Sequence, residues 1–247
     1  MKLFSIVKLG LMALGTASCF PEPAGHEWHV AGPDDKRSPC PGLNAMANHG
    51  YLPRSGKFID KLAIRSGVSN AYNYPATLFD GVVDQVLAAG ISTTGDNSTF
   101  NLDDLASPGA YPEIQFDGSL SRNDKVFGDA LNFDLNIWGH TAERLDLYTN
   151  STGDYVTIEV AAAARAARVQ DAMSANPGFT AGPNFSLGTT ALYLTTMWDT
   201  AADAAPKSWV RAFFENERIP FTEGYFVPET QKDLGAMFAR VVAASPA

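Results

Sequence analysis

The stretch Ser38-Pro39-Cys40-Pro41-Gly42-Leu43-Asn44-Ala45-Met46-Ala47-Asn48-His49-Gly50-Tyr51-Leu52-Pro53-Arg54 decides how this chain is interpreted. Pro41 suits the first position of a helix, because its missing N–H would have no partner there. Residues 42–48 predict two helical turns, which Gly50 ends. Cys40 would then lie at a helix N-terminus, where free amides and the positive end of the helix dipole favour the thiolate. The alternative is a buried, unreactive cysteine near a turn, which is the commoner role for a lone thiol.

The number of cysteines depends on how the first residues are interpreted. The chain has two cysteines, Cys19 and Cys40. Residues 1–19 predict a secretory signal peptide, because Lys2 precedes an apolar run and small residues follow that run. Its removal leaves Cys40 without an internal disulfide partner. The thiol would then form a disulfide with another protein, remain buried and unreactive, or serve as a ligand. Three Asn-x-Ser/Thr sequences, at Asn97, Asn150 and Asn184, agree with a secreted glycoprotein.

Composition sets the broad class of the protein. Of 247 residues, 45% are apolar and 18% are charged, which predicts a globular core. The net charge is −9, and lysines and arginines do not cluster, so a nucleic-acid partner is not expected. No segment has 18 consecutive apolar residues, so no membrane span is expected. We predict one domain over residues 20–247.

Periodicity predicts an all-α fold with long loops. Helical spacing of apolar residues recurs in the segments 78–87, 158–173, 187–198, 209–214 and 234–242. Thr230 and Asp233 predict a capping box before the last of these helices. We predict an extended arm that leads into a short turn over residues 20–56. We predict a loop over residues 92–107 and short helices over residues 124–147. Strand-like alternation is scarce.

The Cys40 segment resembles the signature of the fungal haem-thiolate peroxidases, the family of chloroperoxidase and the unspecific peroxygenases. In that family, Pro-Cys-Pro is followed by a Leu-Asn-x-x-Ala-Asn-His-Gly-Tyr run. Residues 213–220, Phe-Phe-Glu-Asn-Glu-Arg-Ile-Pro, resemble the family's closing segment. The resemblance covers about residues 28–228. It implies an all-α fold enclosing haem b, with Cys40 as the proximal ligand of the haem iron. It also implies oxidation of a small hydrophobic substrate by hydrogen peroxide.

The resemblance places a second set of residues on the opposite, distal side of the haem. Family members there carry Glu-His-Asp or Glu-Gly-Asp, followed by Ser and Arg, and the glutamate helps to hold a cation near a haem propionate. The matching positions are Gln115, Phe116, Asp117, Ser119 and Arg122. Gln115 and Ser119 are therefore expected to border the haem. Because Gln115 offers a neutral oxygen, a Mg²⁺ or Mn²⁺ ion would lose much of its attraction to this site.

The resemblance also locates the residue that would move protons. A glutamate before the Ala-Leu-Tyr-Leu run serves the family as general acid and base, and Thr189 stands at its position. A threonine hydroxyl can relay a hydrogen bond but is too weak a base near neutral pH. With Phe116 in place of the histidine, the catalytic positions on the distal side are Phe116 and Thr189. His49, in the Asn-His-Gly turn, is expected to pack and to form hydrogen bonds.

Three functions therefore compete. The first is peroxidase or peroxygenase oxidation of a small apolar or aromatic metabolite, which fits a role in secondary metabolism. The second is a haem-thiolate reaction that needs no peroxide, such as a dehydration, a rearrangement or a coupling. The third is haem binding without turnover. Family resemblance places peroxidase-type oxidation first.

Overall fold

A computed structural model describes residues 20–110, 114–149, 151, 153–179 and 183–246, without the side chains of residues 183–185. The predicted signal peptide and the acceptor Asn150 lie outside these residues. Within them, the helices are α1 Pro41–Asn48, α2 Lys61–Tyr72, α3 Asp80–Ala88, α4 Leu135–Arg144, α5 Ile158–Ala175, α6 Pro183–Met197, α7 Lys207–Glu215 and α8 Leu234–Ala244. Two short strands, β1 Tyr155–Val156 and β2 Ala205–Pro206, pair antiparallel at the starts of α5 and α7.

The predicted all-α architecture is confirmed. Helices α5, α6 and α8 pack on one another, α4 packs against α5, and α1 packs against α2 and α7. Large side chains that are completely buried, such as Tyr74, Phe100, Leu194 and Ile219, join these helices into one apolar core. No helix in the described part of the chain is long and apolar enough to cross a membrane.

Several sequence predictions need correction. Helix α2 was missed, because its polar face and the internal Gly67 dilute its apolar period. The extended arm covers residues 20–40 only, since α1 interrupts the predicted range 20–56. The predicted loop 92–107 contains a 3₁₀ helix, Leu102–Ala106. The proposed capping box is wrong, because Asp233 is itself the N-cap of α8 and accepts the amide of Ala236 at 3.0 Å.

The C-terminal end of α1 is fixed by a reciprocal pair of histidines. The Nδ1–H of His49 donates to the carbonyl of His26 at 2.7 Å, and the Nδ1–H of His26 donates to the carbonyl of His49 at 2.9 Å. The remaining ring nitrogen of His49, Nε2, accepts the amide of Ile219 at 3.1 Å. His49 is completely buried, which confirms its predicted packing role. This contact joins α1 to the segment after α7.

A buried polar cluster attaches the loop that contains Gln115–Ser119 to α5. Arg168, on α5, donates from Nε to the carbonyl of Ser119 at 2.9 Å and from Nη2 to Asp124 Oδ1 at 2.8 Å. Asn176, just after α5, donates to Asp117 Oδ2 at 2.9 Å and to Asp124 Oδ2 at 3.2 Å. Arg168 and Asp124 are almost fully buried, so each charge depends on the other.

We expect Arg168→Met to lower the free energy of unfolding by about 3–5 kcal/mol, because it leaves the buried Asp124 carboxylate without its counter-charge. Urea denaturation measures this loss. The matched control is Arg144→Met, which breaks the exposed pair with Asp171 and should cost no more than about 1 kcal/mol. Equal losses in the two variants would show that the buried cluster does not hold this loop.

The buried His49 predicts a loss of stability in mild acid. Burial lowers the pKa of His49, and protonation would also remove the acceptor of the Ile219 amide. Its folded pKa lies below the unfolded value of about 6.5, so the unfolded chain binds more protons in this window and stability falls as the pH drops below that value.

Thermal unfolding between pH 7.5 and pH 5, at about half-unit steps, checks this sign. At pH 7.5, His49→Gln should unfold at a lower temperature than the wild type. On acidification, however, its unfolding temperature should fall by less than that of the wild type. A substitution at the exposed His140, to Gln, should leave the wild-type pH dependence unchanged. An unaltered pH dependence in His49→Gln contradicts the assignment.

Candidate functional site

The site is centred on Cys40, which caps the N-terminus of α1. Its backbone is extended (φ −87°, ψ 113°), and Pro41 occupies the first helical position, as predicted. Within the described part of the chain, no hydrogen bond to the Cys40 side chain caps this helix end. Burial raises the pKa of the Cys40 thiol, while the backbone amides of Leu43 and Gly42, together with Arg122, lower that pKa and Glu217 raises it. Cys40 is half-buried, and a metal ion would supply the positive charge that a thiolate in this position needs.

The walls around the sulfur come from α2 and α7. A Cβ atom added to Gly42 would lie 3.7 Å from Cys40 Sγ and 3.4 Å from Cζ of Phe213, which is on α7. Tyr72, on α2, donates from its hydroxyl to the carbonyl of Gly42 at 3.2 Å. The first turn of α1 is thereby packed on both sides, and the glycine lets an aromatic ring approach the sulfur closely.

The donor set around Cys40 fits a haem iron. The described residues contain no cluster of three or more His, Cys, Asp or Glu side chains that could hold a bare metal ion. Cys40 is a free cysteine, so a metal at its sulfur would take its other ligands from a prosthetic group. A single thiolate at a helix N-terminus, where the helix dipole favours negative charge, is a suitable axial ligand for haem.

The loop that carries Cys40 is clamped by the side chain of Asn44. The Oδ1 of Asn44 accepts the amide of Ser38 at 2.7 Å, and its Nδ2 donates to the carbonyl of Ser38 at 2.8 Å. Ser38 Oγ in turn accepts the amide of Cys40 at 3.1 Å. Asn44 and Ser38 are each 1% exposed. The amide side chain thus pairs with the loop as a neighbouring strand would.

A second asparagine, one turn later, holds the segment after α7. Asn48 Oδ1 accepts Nε and Nη2 of Arg37 at 2.9 and 2.7 Å, and its Nδ2 donates to the carbonyl of Glu217 at 3.1 Å. The Oε1 of Glu217 accepts Asn44 Nδ2 at 2.7 Å and forms an ion pair with Arg122. Two segments far apart in the sequence therefore meet beside the Cys40 loop.

The predicted haem-bordering residues Gln115, Phe116 and Ser119 lie in one loop. The amide of Gln115 donates to the carbonyl of Ala110 at 2.8 Å, and the Oγ of Ser119 accepts the amide of Ser121 at 3.4 Å. Gln115, Phe116 and Ser119 are each half-buried. Asp117 differs from them, because it is buried and its carboxylate is used within the cluster around Asn176.

Thr189 lies in α6 and is exposed in the structure. Its Oγ1 donates to the carbonyl of Ser186 at 3.2 Å, within the same helix. Helix α5 contacts both predicted distal elements from a single face: Arg168 bonds Ser119 of the loop, and Arg165 donates to Ser186 Oγ of α6 at 3.0 Å. The structure thus brings the loop and the first turn of α6 to one helix, while Cys40 is held separately by α1.

Sequence reasoning missed the roles of Asn44, Arg122 and Glu217. Asn44 and Asn48 are four residues apart and so occupy one face of α1, which was a usable signal for paired contacts. Arg122 was expected on the distal side only as part of a motif. Its partner Glu217 lies 95 residues away, so no local pattern could join the two.

The chain is similar in sequence to known peroxidases and peroxygenases. The chain matches the profile of the family described as "Peroxidase, family 2" over residues 26–230. It is 30% identical over 167 residues to an aromatic peroxygenase of Coprinellus radians, covering 63% of each chain. It is also 30% identical over 167 residues to an aromatic peroxygenase of Cyclocybe aegerita, covering 62% of this chain and 44% of that protein.

A chloroperoxidase of Leptoxyphium fumago is 34% identical over 107 residues, which is 42% of this chain and 28% of that protein. This chain therefore spans less than two thirds of the length of each of these three relatives. The family profile, by contrast, covers α1 to α7 and includes both Cys40 and Glu217. The chain belongs to peroxidase family 2.

Proposed function

We propose that this protein is a haem-thiolate oxidoreductase of the peroxidase or peroxygenase type. The observation that carries the proposal is the position of Cys40 as the N-cap of α1, directly before Pro41 at the first helical position. The free amides and the positive end of the helix dipole at this position favour a thiolate, which is the form that ligates iron. Membership of peroxidase family 2 supports the same conclusion.

Named residues would bind haem b on its two sides. Cys40 would ligate the iron, and the loop residues Gln115 and Ser119 would border a propionate. When bound, the haem supplies an iron centre at which a thiolate ligand promotes cleavage of the peroxide O–O bond. Gln115 is a neutral ligand, so a Mg²⁺ or Mn²⁺ ion at this position is not part of the proposal.

The substrate we propose is a small apolar or aromatic molecule. Phe116 is half-buried in the same loop as Gln115 and Ser119, the residues proposed to border a propionate. Its aromatic ring favours an apolar ligand, whereas a charged or polar side chain at this position would favour a polar one. Two relatives are named aromatic peroxygenases, which supports an aromatic substrate and peroxide as the oxidant.

We also propose that the protein is secreted and glycosylated. The predicted leader at residues 1–19 supports secretion. Among the three acceptor sequences, Asn97 is exposed in a turn and so is open to modification, whereas Ser186 of the third is buried. Glycosylation is therefore expected at Asn97.

A second candidate follows from Thr189. Its hydroxyl already donates to the carbonyl of Ser186, and it has no basic group with which to accept the first proton of a peroxide. This observation favours a haem-thiolate reaction without peroxide, such as a dehydration, a rearrangement or a coupling. The reaction with peroxide distinguishes the two functions.

Cys40→Ala tests the ligand. The reduced wild-type protein with carbon monoxide should show the red-shifted Soret band of thiolate-bound haem, and Cys40→Ala should lose that band because Cys40 is the only cysteine in the described part of the chain. A wild-type protein that takes up no haem, or a variant with the wild-type spectrum, contradicts the proposal.

Thr189→Glu tests the distal assignment. A positioned carboxylate should speed the reaction of the ferric protein with hydrogen peroxide by about 100- to 10,000-fold, since general acid–base catalysis typically contributes that much. Stopped-flow spectra of the Soret band measure the rate. Thr189→Gln is the matched control, because it adds the same bulk without a base and should give no gain. Equal rates in the Glu and Gln variants would place Thr189 outside the distal site.

A further inference from the structure

We propose that Arg122 and Glu217 are positioning residues for Cys40: through Asn44 and Ser38 they fix the sulfur, and the balance of their two charges sets its electron donation to the iron. This inference rests on the proposed haem-thiolate function. It assigns a role on the Cys40 side to Arg122, which the resemblance places among the distal positions, and to its partner Glu217.

A continuous series of hydrogen bonds leads from the ion pair to the cysteine loop. Arg122 Nη2 bonds Glu217 Oε1, and the same oxygen accepts Asn44 Nδ2 at 2.7 Å. Asn44 pairs with both the amide and the carbonyl of Ser38. Ser38 Oγ then accepts the amide of Cys40. A displacement of the Glu217 carboxylate is therefore passed to the loop, where Ser38 Oγ also donates to the carbonyl of Cys40 at 3.1 Å.

The burial of the pair makes its charges effective. The Arg122 side chain is 3% exposed and the Glu217 side chain is 20% exposed. The other acceptors of Arg122 are neutral, namely Ser121 Oγ at 2.9 Å and the carbonyl of Leu131 at 3.4 Å. Glu217 is the only anion within ion-pair distance of Arg122 among the described residues, and Asp129 interacts with Arg122 at longer range. Glu217 in turn interacts with Arg37 at longer range. Removal of one member of the pair therefore shifts the local charge balance toward the sign of the other.

The backbone of Glu217 indicates that its position is enforced. Its φ is +47°, a left-handed conformation that a residue with a Cβ rarely adopts. Asn48 holds the carbonyl of this residue, and Asn44 and Arg122 hold its carboxylate. Backbone strain of this kind persists when several contacts determine it, and it is concentrated at functional positions.

The two charges act on the sulfur with opposite signs. Both side chains belong to the hydrogen-bonded series that ends at the Cys40 amide, so the Arg122 guanidinium favours negative charge on the sulfur and the Glu217 carboxylate disfavours it. Loss of Arg122 leaves a net negative charge near the iron and should favour the ferric form. Loss of the Glu217 charge leaves a net positive charge and should favour the ferrous form. If the ion pair had only a structural role, both substitutions would shift the ferric–ferrous equilibrium in the same direction.

The test is the ferric–ferrous equilibrium of the haem-loaded full chain, measured by spectroelectrochemistry. Relative to wild type, Arg122→Met should lower the reduction equilibrium constant by about tenfold, and Glu217→Gln should raise it by about tenfold. The effect is held to this size because Glu217 borders an open cleft of about 380 Å³, from which water screens its charge. Arg122→Lys, which keeps the charge, should remain near the wild-type value.

Asn44→Ala tests the connection itself. This variant keeps both charges but removes the clamp on Ser38, so part of the carbon monoxide complex should lose its thiolate-type Soret band. The matched control is the exposed ion pair of Arg240 and Asp203, where Arg240→Met and Asp203→Asn should leave both the equilibrium and the spectrum unchanged.

The failure of this inference differs from the failure of the proposed function. Shifts of the same sign in Arg122→Met and Glu217→Gln, or no shift in either, overturn the inference while the wild-type thiolate spectrum stands. If Arg122→Met does not fold, the comparison of Glu217→Gln with Arg122→Lys still tests the inference. Glu217→Gln should raise the reduction equilibrium constant, and Arg122→Lys should leave it near the wild-type value. Absence of a thiolate spectrum in the wild type overturns the proposed function instead.

Discussion

The constraint on which the site depends is the position of Cys40 at the N-terminus of α1, where the backbone amides of Gly42 and Leu43 follow it. Burial raises the pKa of the Cys40 thiol, and these amides lower that pKa without cancelling the effect of burial. The helix N-terminus therefore offsets only part of the cost of a thiolate, and a metal cation would supply the rest. Pro41 serves the same end, because its ring begins the helix directly after the cysteine without adding an unsatisfied N–H.

The two sides of the proposed haem site are built on different principles. On the Cys40 side, side chains from three segments lock one short loop, and Asn44, Asn48 and Glu217 leave it little freedom. On the other side, helix α5 carries two arginines, Arg165 and Arg168, which attach α6 and the Gln115–Ser119 loop to a common face. These contacts hold both elements in place, although Thr189 and Phe116 offer no carboxylate or imidazole for proton transfer. One face of α5 thus holds both elements of the proposed distal side.

Much of the fold and the centre of the site could be predicted from sequence, and the failures have physical causes. Helix α5 was predicted because Ile158, Arg165 and Val169 repeat with the helical period, and α1 because Pro41 and Gly50 mark its limits. Helix α2 was missed because burial of Gly67 and Ala71 adds little hydrophobic signal. The roles of Arg122 and Glu217 depend on contacts between distant segments, which no local pattern contains. Asp117 was expected only as a motif residue, yet tertiary packing uses it as a buried acceptor for Asn176.

The central claim is that the sulfur of Cys40 ligates a haem iron. X-ray absorption at the iron edge of the haem-loaded protein tests it most directly, because sulfur and nitrogen or oxygen ligands scatter differently. The account predicts one sulfur neighbour in the first coordination shell, in addition to the porphyrin nitrogens. A first shell of nitrogen and oxygen alone would contradict it.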